Sequence, residues 1–214
     1  MIKVKINQVL IEVNQNTTVL QACQAAKIQV PKFCFHDRLL IAGNCRICLV
    51  EINKFPKPVA ACAIPVSDGI EIYTISPLVR KARESVLEFL LINHPLDCPI
   101  CDQGSECDLQ DQTIVFGSEK SRRFSLKKRG VSIKNWGPLV NTVITRCIHC
   151  TRCVRFITEY SGFSYLGILG RGQQSEISFF MKKKAQNIFS GNIIDLCPVS
   201  YLTNKNYIKH AYSN

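Results

Sequence analysis

A chain of 214 residues can bury two or three small cores rather than one large one, and its 27 Lys and Arg against 16 Asp and Glu leave a net charge of +11. The positive balance admits nucleic acid, an anionic surface or acidic protein partners. Yet the basic residues are scattered apart from one patch over 120–134, with no interleaved aromatics and no recognisable nucleic-acid module, so nucleic-acid binding is not expected.

The N-terminus, MIKVKINQVLIEV, alternates apolar and polar residues. It predicts a two-stranded hairpin turning at Asn7-Gln8, and it resembles neither a secretory signal nor an Arg- and Ser-rich presequence. Thr17 or Thr18 can cap a helix reaching Lys27, with Leu20, Cys23 and Ala26 on its apolar face. Strand patterns follow at 48–52, 59–64 and 70–75, so the first seventy-odd residues predict a small α+β domain. Ser76-Pro77 reads as a cap followed by proline in the first helical position. The helix then runs from Leu78 to Asn93, with Val79, Ala82, Val86 and Leu90 as its stripe, and stops before Pro95. Irregular basic sequence fills 117–137, and a third unit begins near Pro138. The most apolar run, VLEFLLIN, is too short to span a bilayer.

Twelve cysteines in a chain without a secretion signal read as metal ligands rather than disulfides, in a soluble intracellular protein. They fall into three sets by position. Cys34, Cys45, Cys48 and Cys62 are spaced C-x10-C-x2-C-x13-C, with Gly43 permitting a tight loop. The stretch HPLDCPICDQGSEC places His94, Cys98, Cys101 and Cys107 in fourteen residues, too rich in proline and glycine to be regular structure. Cys147, Cys150 and Cys153, followed by a remote Cys197-Pro198, form the C-x2-C-x2-C…C-P pattern that binds one [4Fe–4S] cube in ferredoxins. Arg146, Arg152 and Arg155 lie among these last ligands, where positive charge raises a cluster's potential.

Structural zinc remains the alternative, because each set contains a C-x2-C pair. Zinc normally adds a second close pair, which none of the sets has. Cys23 competes with His94 for the fourth place in the middle set, but its position on an apolar helix face suits a small hydrophobe. Eleven cysteines plus His94 make three four-ligand sets, leaving Cys23 structural and His36, His149 and His210 as bystanders. No dinucleotide or phosphate-binding motif accompanies the ligands, and no catalytic residues stand out. Three clusters without substrate chemistry describe an electron wire.

In combination, CRICLVEINKFPKPVAACAIPV, EFLLINHPLDCPICDQGSECDLQDQ, TRCIHCTRCVRF and SGNIIDLCPVSYLT resemble the large iron–sulfur subunit of respiratory complex I, the G-type subunit of bacterial NADH-quinone oxidoreductase. The likeness covers the chain to about Thr203. It implies an α+β architecture in three parts. A β-grasp 2Fe–2S ferredoxin-like domain spans 1–77, and a small helical and loop 4Fe–4S domain with one histidine and three cysteine ligands spans 78–117. After a basic linker at 118–137, a small α+β 4Fe–4S ferredoxin-like domain covers 138–214. One [2Fe–2S] cluster falls to Cys34, Cys45, Cys48 and Cys62. Two [4Fe–4S] clusters fall to His94, Cys98, Cys101 and Cys107, and to Cys147, Cys150, Cys153 and Cys197.

The same resemblance implies a subunit of proton-translocating NADH:ubiquinone reductase, without an NADH, FMN or quinone site of its own. Single electrons would pass from the NADH-reduced FMN of a neighbouring flavoprotein towards ubiquinone. The implied partners are that flavoprotein and other peripheral-arm iron–sulfur subunits, on the matrix side of the mitochondrial inner membrane or the cytoplasmic face of a bacterial one. Family members continue into a long C-terminal region, so a separately encoded remainder is a further implied partner. The Ile-, Asn- and Lys-rich composition points to an organelle-encoded gene. The diaphorase subunit of NAD-linked hydrogenases shares the same N-terminal likeness and stands as the alternative, with a zinc-structured interaction module behind it.

Overall fold

The computed structural model describes residues 1–120, 122, 130–131, 134–180 and 189–206; most of the basic patch over 120–134 lies outside them. Two compact units are formed. The first comprises residues 1–35, 41–89 and 112–120, and the second residues 36–40, 90–111 and 121–214.

In the first unit β1 (Ile2–Ile6) and β2 (Val9–Val13) form the expected hairpin, with Ile6 opposite Val9. Asn7 and Gln8 both take positive φ, the backbone twist that suits a two-residue hairpin turn. Helix α1 (Val19–Ala25) follows, and Thr18 caps it through a reciprocal pair with Gln21. Strands β3 (Leu49–Ile52), β4 (Val59–Ala60) and β5 (Glu71–Tyr73) complete a mixed sheet in the order β2-β1-β5-β3-β4, in which only β1 and β5 run parallel. The core lies between this sheet and α1, where Val4, Ile6, Val50, Ile52 and Ile72 meet Val19, Leu20, Ala22 and Cys23. Each large aliphatic side chain removed from water in this way contributes roughly 1.5–3 kcal/mol. This is the β-grasp ferredoxin-like arrangement.

Two expectations change in detail. The strand foreseen over 59–64 ends at Ala60, because the chain turns there: Ala61 N–H reaches Cys48 O at 3.0 Å and Ala63 N–H reaches Ala60 O at 3.0 Å. The turn presents Cys62 towards the site, and the residues after it dock on the start of α1 through Val19 N–H to Ile64 O at 2.9 Å. Helix α2 (Pro77–Leu91) forms as foreseen, with the Ser76 hydroxyl accepting from Val79 N–H at 3.3 Å. Its buried stripe, however, is Val79, Arg83 and Leu87. Arg83 replaces the expected apolar residues because its guanidinium finds an acceptor inside, donating to Leu49 O at 2.8 and 3.1 Å.

The second unit holds the 94–107 loop, which contains a short 3-10 turn at Cys98–Ile100 and leads into α3 (Asp108–Phe116). It also holds β6 (Val140–Thr142), α4 (Arg152–Ser161), β7 (Leu166–Leu169), β8 (Glu176–Phe179), α5 (Asn192–Leu196) and β9 (Leu202–Asn204). Strands β6 and β9 pair antiparallel, as do β7 and β8. Trp136 packs edge-on against Phe179 and Tyr201, with ring centroids at 4.8 and 5.5 Å. No helix among the described residues is long and apolar enough to cross a membrane.

Candidate metal centres

The first set is assembled by three neighbouring segments of the first unit, and its four cysteines are all buried. The backbone around Cys45 turns through Gly43 at φ +64 before it and Arg46 at φ 59 after it, and the Cys45 sulfur lies 3.4 Å from Cys34 N–H. The four thiols hydrogen-bond to one another. Donation from Cys45, then from Cys62, pulls Cys34 far below the ordinary thiol range, and Cys62 likewise lowers Cys48 to about 7. Cys45 and Cys62 are raised in return, first by these same bonds to Cys34 and then by other bonding and burial. The four sulfurs thus lie within bonding reach of one another, a donor set suited to metal once its protons are displaced, since the thiolate is the ligand form.

Beneath this set sits Arg83, whose guanidinium bonds the carbonyl of Leu49, next to Cys48, and lies 5.3 Å over the Phe116 ring. Desolvation lowers its pKa to about 10, opposed by the charges of Cys48 and Cys23. Pattern reading missed Arg83; a charge at the i+4 position after Val79, on the buried stripe, was the available signal. Cys23 lies wholly within the hydrophobic core, where burial raises its thiol to about 11. Its location is that of a small hydrophobe.

The middle set is far more open. His94 follows the end of α2 and is half-buried, Cys98 is exposed, Cys101 half-buried and Cys107 buried. The loop closes through Cys101 N–H to Cys98 O at 3.3 Å and Gly104 N–H to Cys101 O at 2.9 Å. A Cβ on Gly104 would stand 2.8 Å from Cys98 O and 3.2 Å from Cys101 O, so the loop wraps too tightly there for any side chain. Burial raises the Cys107 thiol, and the charge of Cys101 adds to the effect, which places those two sulfurs in one field.

The third set is brought together completely. Cys147, Cys150, Cys153 and Cys197 line one cavity, with Ile177, Val199 and Tyr201 among its walls. The C-x2-C-x2-C turn needs an unusual backbone, and His149 and Thr151 both take positive φ to supply it. His149 Nε2 lies 2.8 Å from Ser175 O, and the Ser175 carbonyl therefore accepts from the Nε2–H tautomer and pins the turn. Thr151 then starts α4, which carries Cys153. Arg152 and Arg155 hold the surrounding backbone, reaching Leu196 O and Cys150 O at 3.4 Å each. Burial pushes Cys150 up to about 11 and raises Cys153 and Cys197 as well, so ligation of a metal must displace their protons. Tyr201, overlooked from sequence, is raised chiefly by burial and donates its O–H to Ile177 O at 3.3 Å.

Among the described residues no group of three or more His, Cys, Asp or Glu side chains is disposed to hold a single metal ion. The ligands of a cluster bind different irons and stand further apart than those of one ion. Four cysteines converging on one cavity supply the donor set that such a group requires.

Three family models match, and together they follow the three ligand sets. Residues 1–77 match a 2Fe-2S iron-sulfur cluster binding domain, and residues 83–122 the NADH-ubiquinone oxidoreductase-G iron-sulfur binding region. Residues 137–203 match the ferredoxin-like domain of NADH-quinone oxidoreductase subunit 3. These matches assign one 2Fe–2S and two 4Fe–4S clusters to the chain. Over 213 residues the sequence is 60% identical to the NADH-ubiquinone oxidoreductase 75 kDa subunit of Reclinomonas americana, covering 100% of this chain and 31% of that one. It is 53% identical to the G-type NADH-quinone oxidoreductase subunit of Rickettsia felis, covering 97% of this chain and 31% of that relative. The chain therefore spans about a third of the length of these curated relatives. Among solved structures, a chain in the H2-reduced NAD+-reducing [NiFe]-hydrogenase superposes with a TM-score of 0.86 at 26% identity, covering 97% of this chain and 89% of that one.

Proposed function

The chain belongs to the family of the large iron–sulfur subunit of respiratory complex I, over that subunit's iron–sulfur region, and from this membership we propose that it is an electron relay. In this reading it takes single electrons from the NADH-reduced FMN of a neighbouring flavoprotein and passes them towards ubiquinone through adjoining iron–sulfur subunits. Cys34, Cys45, Cys48 and Cys62 hold the [2Fe–2S] cluster. His94, Cys98, Cys101 and Cys107 hold one [4Fe–4S] cluster, and Cys147, Cys150, Cys153 and Cys197 the other. When bound, these groups supply one-electron redox chemistry.

The protein's own part is to present thiolates, exclude water and set the field around each site. Burial of Cys150 and Cys153 does the second, and Arg146, Arg152 and Arg155 contribute to the third. The observation that carries the reading is the convergence of all four third-set cysteines on one cavity, in a chain whose family matches name iron–sulfur regions. Division at 1–77, 78–117 and 138–214, with a linker at 118–137, belongs to the same proposal; the matches over 1–77 and 137–203 support its first and last parts, while the middle match runs over 83–122.

Relatives from mitochondriate organisms and from Rickettsia support placement in a peripheral arm, on the mitochondrial matrix side or the bacterial cytoplasmic side. The likeness to a hydrogenase chain supports a second reading, a diaphorase subunit. Identification of co-purifying chains separates the two: quinone-module and membrane-arm subunits support the first, a hydrogenase pair the second. The full chain, reconstituted anaerobically, should be brown with about ten irons, from 2 + 4 + 4 by cluster type. Colourless protein with stoichiometric zinc would sink the relay.

A further inference from the structure

The open middle loop has little apolar burial to position it, since Leu96, Cys98 and Ile100 are all exposed. One polar contact ties it to the third set within the same unit. Asp97, the residue before Cys98, accepts from Arg146 Nε at 3.3 Å, and Arg146 is the residue before Cys147. Arg146 is itself buried, at 6% exposure, and its Nη1 reaches the Ser200 hydroxyl at 3.3 Å, three residues past Cys197. A single guanidinium therefore bonds segments that adjoin ligands of both four-iron sets.

Such an ion pair is a poor source of stability, because desolvating the arginine offsets most of the attraction. Its geometry makes it a coupling device instead. Each of its two charges is adjacent in sequence to a ligand of one set and bonded to a residue adjacent to a ligand of the other. Through the pair each charge is linked to segments beside both sites, and a charge in a low-dielectric surround acts over a longer distance than in water. A positive charge favours the reduced, more negative form of a cluster and raises its potential, whereas a negative charge lowers it. We propose that Arg146 and Asp97 form a positioning pair that joins the two four-iron sites and sets their potentials together. This inference rests on the relay reading of those sites.

Redox titration of the reconstituted full chain, followed by electron paramagnetic resonance of the two four-iron signals, tests the pair. Arg146→Gln should shift both potentials down and Asp97→Asn should shift both up. The double variant should return towards wild type, because the opposing changes cancel. Arg146→Lys keeps the charge without the fork and should hold the potentials near wild type; it also serves if Arg146→Gln does not fold. Shifts of the same sign in the two single variants, or a Lys variant that behaves as Gln does, would show a purely structural strut and overturn the pair. A wild-type chain with no four-iron signal at all overturns the relay reading and the pair with it.

Discussion

The first and middle proposed ligand sets meet the same demand with opposite resources. Cys34, Cys45, Cys48 and Cys62 are buried beside the core of a five-stranded sheet, and their thiols already bond one another. His94, Cys98, Cys101 and Cys107 sit on a loop whose Cys98 is exposed and whose shape depends on a few backbone hydrogen bonds and one glycine. A hydrophobic core can organise ligands in advance of the metal. A short loop without one must draw its order from what it binds, since metal-binding free energy is then folding free energy.

The largest expected effect breaks the middle site alone. Gly104→Ala should remove about four of ten irons, because its Cβ meets Cys98 O at 2.8 Å, while leaving the [2Fe–2S] spectrum intact. Full iron content in that variant would show that the loop opens freely. Chelation of all iron sharpens the same contrast. Amide exchange in residues 94–107 should accelerate on the order of 100-fold, with little change in the sheet strands, as expected when local order is lost without global unfolding. Equal acceleration in both regions would mean that the first site is no more prebuilt than the second.

Within the first unit, Arg83→Met should cost about 1–3 kcal/mol in denaturant unfolding, because it leaves the buried Leu49 carbonyl without its donor. An unchanged midpoint would show that the carbonyl finds another partner. The smallest effect is pH-dependent. Cys23 has its folded pKa raised to about 11 by burial, so its contribution is complete below the unfolded thiol's pKa and lost as pH rises through the folded one. Relative to Cys23→Ala, wild type should lose about 2 kcal/mol between roughly pH 8 and pH 10.5. Parallel stability curves for the two proteins would remove Cys23 from the titrating core.

Much was determined by sequence alone. Local periodicity located the Asn7-Gln8 hairpin, α1 and α2, because turn chemistry, capping and alternation act over a few residues. Ligand spacing grouped the twelve candidate residues, because a cluster demands soft donors at short, repeated intervals. Only the tertiary structure decided which faces those elements bury and which distant residues they meet. Arg83 reads as a solvated charge until a carbonyl from β3 is placed above it. Spacing places Arg146 beside the third set alone, and only the fold brings Asp97 of the middle loop 3.3 Å from it across 49 positions. Tyr201 becomes a wall of the third cavity only when β9 pairs with β6. In each case the deciding contact is long-range, and its value depends on burial that a linear pattern does not encode.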